Sequence, residues 1–319
     1  MLTLALLLAT APLPAGTVVF GLSSVDGTTT ELTALAPSGE RELLAVVEHA
    51  RGRLPKGLLL ADRLVLVTAV ADDARGVLEE VRLHDGARHL LGGGVLADHA
   101  LAAVPPSVDR AGAVLFVRQP APERFEVVRA ADGAVLARAD AAWLQPARGR
   151  PGAFLLVERG GGARLVELST AGLHTVEALG KGTLRSPAVM GKLLVVELAM
   201  AKGRARVLEL PSRRVLREGL AGMDPLLLDD ATVAFGAGTK AAAVIVDDGR
   251  APRTLSAPQA GVAHPLAGAM VGGRAHVVAW LDRGSALPGE LWRFSDDGAV
   301  RLLEPAVGVA VEVYGVVAP

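Results

Sequence analysis

Seven short, strongly apolar runs punctuate the chain. They are Val18-Val19-Phe20, Leu64-Val65-Leu66-Val67, Val114-Leu115-Phe116-Val117, Phe154-Leu155-Leu156-Val157, Leu193-Leu194-Val195-Val196, Val233-Ala234-Phe235 and Val277-Val278-Ala279-Trp280. A continuous apolar run of this length between polar, turn-rich segments reads as a β-strand buried on both faces. A proline series keeps step with the runs: Pro55, Pro106, Pro146, Pro187, Pro225, Pro265 and Pro305, spaced by 51, 40, 41, 38, 40 and 40 residues. A glycine-turn series follows each run: Ser38-Gly39, Asp85-Gly86, Asp132-Gly133, Ala171-Gly172, Asp248-Gly249 and Asp297-Gly298. The fifth unit has Pro211-Ser212-Arg213 at that place instead.

The three series keep one order, so each unit reads proline, short apolar stretch, hydrophobic strand, polar loop, strand, glycine turn, strand. In the unit after Met223, Pro225–Leu228, Thr232–Phe235, Ala242–Val246 and Thr254-Leu255 are four strands, with a tight turn at Asp247-Asp248-Gly249. Asp-Gly supplies the positive φ that such hairpins need. No stretch carries helical periodicity with caps, so the expected class is all-β. Four-stranded units of about 40–45 residues point to a β-propeller, because one such meander cannot bury both of its faces and radial stacking does. The first unit supplies only three strands, Thr17–Phe20, Glu31–Ala36 and Arg41–Val47, while Pro305 opens an extra stretch at the other end. The expectation is a seven-bladed propeller of four-stranded antiparallel blades, closed by Ala306–Val316 against Thr17–Ser23.

This cadence resembles the WD40-like repeats of bacterial TolB-type propellers. Glu290-Leu291-Trp292 through Asp297-Gly298 to Leu302-Leu303 shows it, and so does Arg82-Leu83-His84-Asp85-Gly86 through Leu90-Leu91. The resemblance implies a fold and a tendency toward extracytoplasmic compartments. It implies no functional residue, because the Ser-Pro-Asp-Gly signature is missing; its nearest match is Ser24-Val25-Asp26-Gly27.

Residues 1–15 read as a signal peptide, with an apolar run from Leu2 to Leu8 and small-residue cleavage sites at Ala11 or Ala15. Residues 16–319 are then one propeller domain, and the expected location is periplasmic or secreted. No later segment reaches the roughly 18 uncharged apolar residues that a membrane helix needs.

Composition narrows the chemistry. The 319 residues are 51% hydrophobic, carry a net charge of −1 and contain no Cys. Thiolate catalysis, disulfides and Cys-ligated metal sites are therefore excluded. The balanced charge leaves no electrostatic footprint for nucleic acid. Asn is absent too, and Arg outnumbers Lys 28 to 5, which reads as coding bias. No nucleophile, metalloprotease or nucleotide-binding motif occurs; Gly236-Ala237-Gly238-Thr239-Lys240 lacks the full phosphate-loop spacing. The aspartate pairs Asp229-Asp230, Asp247-Asp248 and Asp296-Asp297 are read as turn residues.

No catalytic residue, cofactor or metal is assigned. The expected partner is a protein, bound by a monomeric propeller through loops that precede the blade starts. Those loops carry the candidate contact residues His49, Arg51, Arg53, Trp143, Arg148 and His264. They are also the longer loops, notably His49–Lys56 and Ala139–Gly152, and long loops on a rigid scaffold tend to carry function. His49, His99 and His264 read as solvated loop residues. Their convergence on a metal belongs to the alternative function, a metal-dependent lyase or hydrolase at the mouth of the central channel.

Overall fold

The computed structural model describes residues 12–69, 76–96, 100–101, 104–181, 183–190, 193–199, 204–209, 212, 214–221, 225–238, 240–284 and 289–318. The described elements are all β-strands, arranged in seven antiparallel sheets. Sheet one holds β1 (Val18–Ser23), β2 (Thr29–Leu35) and β3 (Arg41–Glu48). Sheet two holds β4 (Lys56–Leu59), β5 (Arg63–Ala69), β6 (Gly76–Arg82) and β7 (Arg88–Leu96). Sheet three has β8 (Ala100–Leu101) and β9 (Ser107–Val108), both paired with β10 (Val114–Ala121), then β11 (Arg124–Arg129) and β12 (Val135–Asp140). Sheet four is β13 (Trp143–Pro146), β14 (Ala153–Val157), β15 (Gly162–Ser169) and β16 (Gly172–Lys181). Sheet five is β17 (Thr183–Met190), β18 (Leu193–Ala199), β19 (Arg204–Glu209) and β20 (Arg214–Ala221). Sheet six is β21 (Leu226–Leu227), β22 (Val233–Gly238), β23 (Ala242–Asp247) and β24 (Arg253–Ser256). Sheet seven is β25 (Val262–Val271), β26 (Arg274–Asp282), β27 (Glu290–Ser295) and β28 (Gly298–Leu303). The last strand, β29 (Val311–Val316), returns to sheet one and pairs with β1.

The seven apolar runs all fall on second strands: β1, β5, β10, β14, β18, β22 and β26. Val18, Val19, Phe20, Leu64, Val65, Leu155 and Val277 are fully buried. A second strand is flanked within its sheet and packed between neighbouring sheets, so side chains on both of its faces leave water. The core is accordingly split into clusters that bridge consecutive sheets. One joins Val19 and Leu32 of sheet one to Leu64 and Val81 of sheet two; another joins Phe125 of sheet three to Leu144 and Phe154 of sheet four.

The proline beat marks innermost strands. Pro55, Pro106 and Pro225 immediately precede β4, β9 and β21; Pro146 ends β13; Pro187 and Pro265 sit at register shifts within β17 and β25. Innermost strands are sheet edges, where the missing N–H costs no ladder bond and discourages pairing with another chain. The glycine turns fall between third and fourth strands. At Gly86, φ is +67° and an added Cβ would lie 2.0 Å from the Leu44 carbonyl oxygen, so the turn needs glycine for both conformation and space.

Arginine use has a structural cause that composition alone did not show. Third strands carry buried glutamates. Glu79 on β6 accepts from Arg88 at 2.8 Å, Glu126 on β11 from Arg118 at 2.6 Å and Arg138 at 2.9 Å, and Glu167 on β15 from Arg110 at 2.7 Å. Glu290 on β27 accepts from Arg283, Arg301 and the Trp292 indole. At Glu126 burial pushes the carboxyl up, but the hydrogen bonds and charges of Arg118 and Arg138 together outweigh it and hold the group below its ordinary 4.5. A carboxyl depressed on folding stabilises the protein above its unfolded value, and that stabilisation is lost as pH falls through the folded value. Glu126→Gln is therefore expected to flatten part of the acid limb below about pH 4.5, read by urea denaturation across that range. An unchanged acid limb would exclude the linkage.

The aspartate pairs also have structural partners. Asp229 accepts from the backbone N–H of Ala231 and Thr232, Asp247 from Gly249 and Asp248 from Arg250, while Asp296 and Asp297 pair with Arg253 and Arg274. Among the described residues no helix is long and apolar enough to cross a membrane.

Candidate functional site: the central channel and one loop face

Turns of an antiparallel meander alternate between its two ends. The end where each innermost strand begins carries the β1–β2 turn, the β3–β4 connection and the β28–β29 connection. The glycine turns between third and fourth strands lie at the opposite end. Direct contacts agree: Gly52 N–H of the β3–β4 connection donates to Gly27 O of the β1–β2 turn at 2.9 Å.

Innermost strands of six sheets — β4, β9, β13, β21, β25 and β29 — border one central cavity of about 730 Å³. Its wall is largely aliphatic, with Leu58, Val104, Leu226, Leu227, Ala267 and Val313. Tyr314 packs over glycines of two neighbouring sheets, Gly21 on β1 and Gly57 on β4: a Cβ on Gly57 would lie 2.5 Å from its ring and one on Gly21 would lie 3.0 Å from its hydroxyl. The hydroxyl donates to Pro55 O at 3.3 Å, and burial with the nearby Glu312 carboxylate raises its pKa so that it stays a neutral donor. Lys56 pairs with Glu312 at 2.9 Å. Arg150 pairs with Glu167, which also holds Arg110.

Arg148 differs from these. Its guanidinium donates to the Leu266 backbone oxygen at 3.1 Å, and among the described residues no carboxylate forms an ion pair with it. The side chain is open to water, yet desolvation by surrounding protein lowers its pKa, with Glu312 opposing the shift. Both statements hold for a group on the wall of a partly open cavity, close to many protein atoms yet still reached by solvent. The charge itself persists, since arginine does not deprotonate in proteins.

The six candidate contact residues do not form one cluster. Arg51 and Arg53 are exposed in the β3–β4 connection, as expected. His49 is not a solvated loop residue: it is buried, with Nε2 hydrogen-bonded to Thr30 Oγ1 at 2.8 Å and Nδ1 to Ala50 O at 2.9 Å. His264 lies within β25, opposite Trp280, and is half-buried. His99 lies outside the described residues. The stretch Ala139–Gly152 is not one long loop, because β13 runs through it. Trp143 starts β13 at the loop face, whereas Arg148 follows β13 in the β13–β14 turn at the opposite end and reaches into the channel. The spacing hid this because β13 is only four residues long and ends on a proline.

Trp143 is both packed against the core and partly open to solvent. Its ring meets Phe125 edge-on at 6.2 Å and its indole N–H donates to the Gln145 side chain at 3.2 Å, while 37% of the residue remains exposed. Two residues of the same face were missed. Val25 in the β1–β2 turn is 75% exposed and Val307 in the β28–β29 connection 90%. Their segments approach each other: a Cβ on Gly308, the residue after Val307, would lie 4.0 Å from Val25 Cγ1. Arg51 is close by, its charge acting on Asp26, whose carboxyl is lowered first by hydrogen bonds from Ser24 and Thr28. The only sequence signal was a pair of valines inside turn segments. Among the described residues no group of three or more His, Asp or Glu side chains is placed to hold a metal ion.

This chain is similar to several solved structures, a β-propeller domain among them. A Mycobacterium tuberculosis puromycin-hydrolyzing peptidase matches at 18% identity over 95% of this chain and 52% of its own, with a TM-score of 0.60. Dihydro-heme d1 dehydrogenase NirN matches at 14% identity over 96% and 67%, TM-score 0.54. The Cps50 (Swd1) β-propeller domain of Myceliophteria thermophila matches at 12% over 80% and 88%, TM-score 0.51. The chain spans about half the length of the puromycin hydrolase chains it matches. At these identities the likeness shows the fold, and it agrees with the WD40-like repeat resemblance read from the sequence. No family model matches the sequence, and no curated protein does.

Proposed function

We propose that this protein is a non-catalytic extracytoplasmic β-propeller that binds a protein partner through the loop face carrying Arg51, Arg53 and Trp143. The observation that carries the reading is the pair Val25 and Val307, the most exposed large hydrophobics described, on that same face. Apolar side chains held in the open beside basic ones are what a protein contact desolvates. Trp143 adds an aromatic held in place by Phe125, the residue type that most often dominates binding energy. This positive feature favours binding over the metal-dependent lyase or hydrolase alternative. The leader-like Leu2–Leu8 run supports the compartment.

The test is capture of partners from the exported fraction of a native host, with affinity measured for the recovered protein. Trp143→Ala and Val307→Asp are each expected to weaken binding by about 2 kcal/mol, as substitutions at an interface centre do. Asp132→Lys, at the opposite end, is expected to leave it unchanged. Affinity that responds to Asp132 and not to Trp143 or Val307 would reject the face. Protein found only in the cytoplasm with Met1 retained would reject the compartment.

A further inference from the structure

We propose that the central channel is a binding site for a small aliphatic monocarboxylate, anchored by Arg148. This site is separate from the loop face, and the inference does not rest on the protein-binding reading. Charge is the first argument. Of the described cations bordering the cavity, Lys56 is answered by Glu312 and Arg150 by Glu167, whereas Arg148 hydrogen-bonds only the Leu266 carbonyl oxygen among the described residues and feels Glu312 as a charge already paired with Lys56. A guanidinium carries five N–H donors in a planar fork, so one carbonyl leaves most of them unused. A carboxylate fits that fork with two parallel hydrogen bonds, and the surrounding protein wall strengthens each of them relative to bulk water.

The remaining arguments concern size and wall chemistry. A cavity of about 730 Å³ lies within the roughly 300–1,000 Å³ typical of small-molecule sites. One unanswered cation matches one negative charge, which favours a monocarboxylate over a phosphate or a dicarboxylate. Leu58 and Leu227 line the cavity, and the one aromatic among its described lining residues, Tyr314, packs against Gly21 and Gly57, so an aliphatic body fits better than a stacked ring.

Octanoate is the probe, titrated calorimetrically into the whole protein. Saturable one-to-one binding is expected. Octanol and octylammonium should bind at least about tenfold more weakly, the effect of losing one charge-assisted contact. Arg148→Gln should weaken octanoate by at least about tenfold, Arg148→Lys by less because the ammonium lacks the fork, and Arg53→Gln should have no effect. Absence of saturable octanoate binding would overturn the proposal. So would octanol binding as tightly as octanoate, equal octanoate affinity in Arg148→Gln, or loss of binding in Arg53→Gln. Should Arg148→Gln fail to fold, the octanoate-to-octanol ratio in the unaltered protein together with Arg148→Lys decides the matter. A ratio near one, or a ratio unchanged in Arg148→Lys, overturns it; a ratio of about ten or more that Arg148→Lys lowers supports it.

Discussion

A chain lacking Ala306–Pro319 is expected to aggregate and to lose its cooperative thermal transition. The segment contains β29, which pairs with β1 from Val18↔Val316 to Leu22↔Val311. Its removal bares the edge of a strand whose Val18, Val19 and Phe20 are fully buried. It also uncovers neighbouring sheets on both sides: Val316 belongs to the cluster that includes Ala267 and Val278 of sheet seven, and Val317 to the one that includes Leu64 and Leu66 of sheet two. Tyr314 is lost from its seat over Gly57, and Lys56 loses Glu312. The folded state of a domain is only about 5–15 kcal/mol below the unfolded one, so losing one strand with contacts on both sides puts all of it at risk. The bared edge is also a template for intermolecular pairing. Size-exclusion chromatography and a thermal melt measure both consequences. A synthetic peptide of residues 306–319 is expected to restore part of the melt. A truncated chain that stays monomeric with an unchanged Tm would show that β29 does not close the ring.

Glu290→Ala is expected to cost about 3 kcal/mol of stability, the range found when one partner of a buried charge cluster is removed. Glu290 is 1% exposed. One oxygen takes the Trp292 indole N–H at 2.7 Å, and the other takes Arg283 at 3.1 Å and Arg301 at 3.2 Å. In the alanine variant the arginines can turn to water, because both are partly exposed. The indole cannot, since Trp292 is buried in the core of sheets six and seven, and its N–H is left without an acceptor beside a new cavity. Glu290→Gln keeps an acceptor for the indole and the volume of the side chain, so its cost should be smaller. Urea denaturation of the two variants tests this ordering. Equal costs would place the stabilisation in the charge alone, and a cost below about 1 kcal/mol for alanine would mean the cluster is not structural.

Much of the architecture was legible because it repeats. The second strands stood out as continuous apolar runs, since burial between two sheets removes the alternation that a half-exposed strand shows. The third-to-fourth turns stood out because positive φ admits few residues besides glycine. The three-strand first unit and the surplus stretch after Pro305 announced the pairing of β29 with β1. Innermost strands were harder to bound: β9 and β21 have two residues each, too few for any period. That weakness displaced Arg148, which appeared to sit in a loop before a blade and instead follows β13.

The amino-acid order by itself determined class, repeat and the pairing of the last strand with the first unit, because these depend on local turn chemistry and on which strands must leave water. Which side chains share a space was decided only by the ring. Arg148 and Leu266 are 118 residues apart and Lys56 and Glu312 256 apart, and no short-range pattern links them. They meet because the innermost strands of six sheets border one cavity, which sets residues far apart in sequence against a shared space.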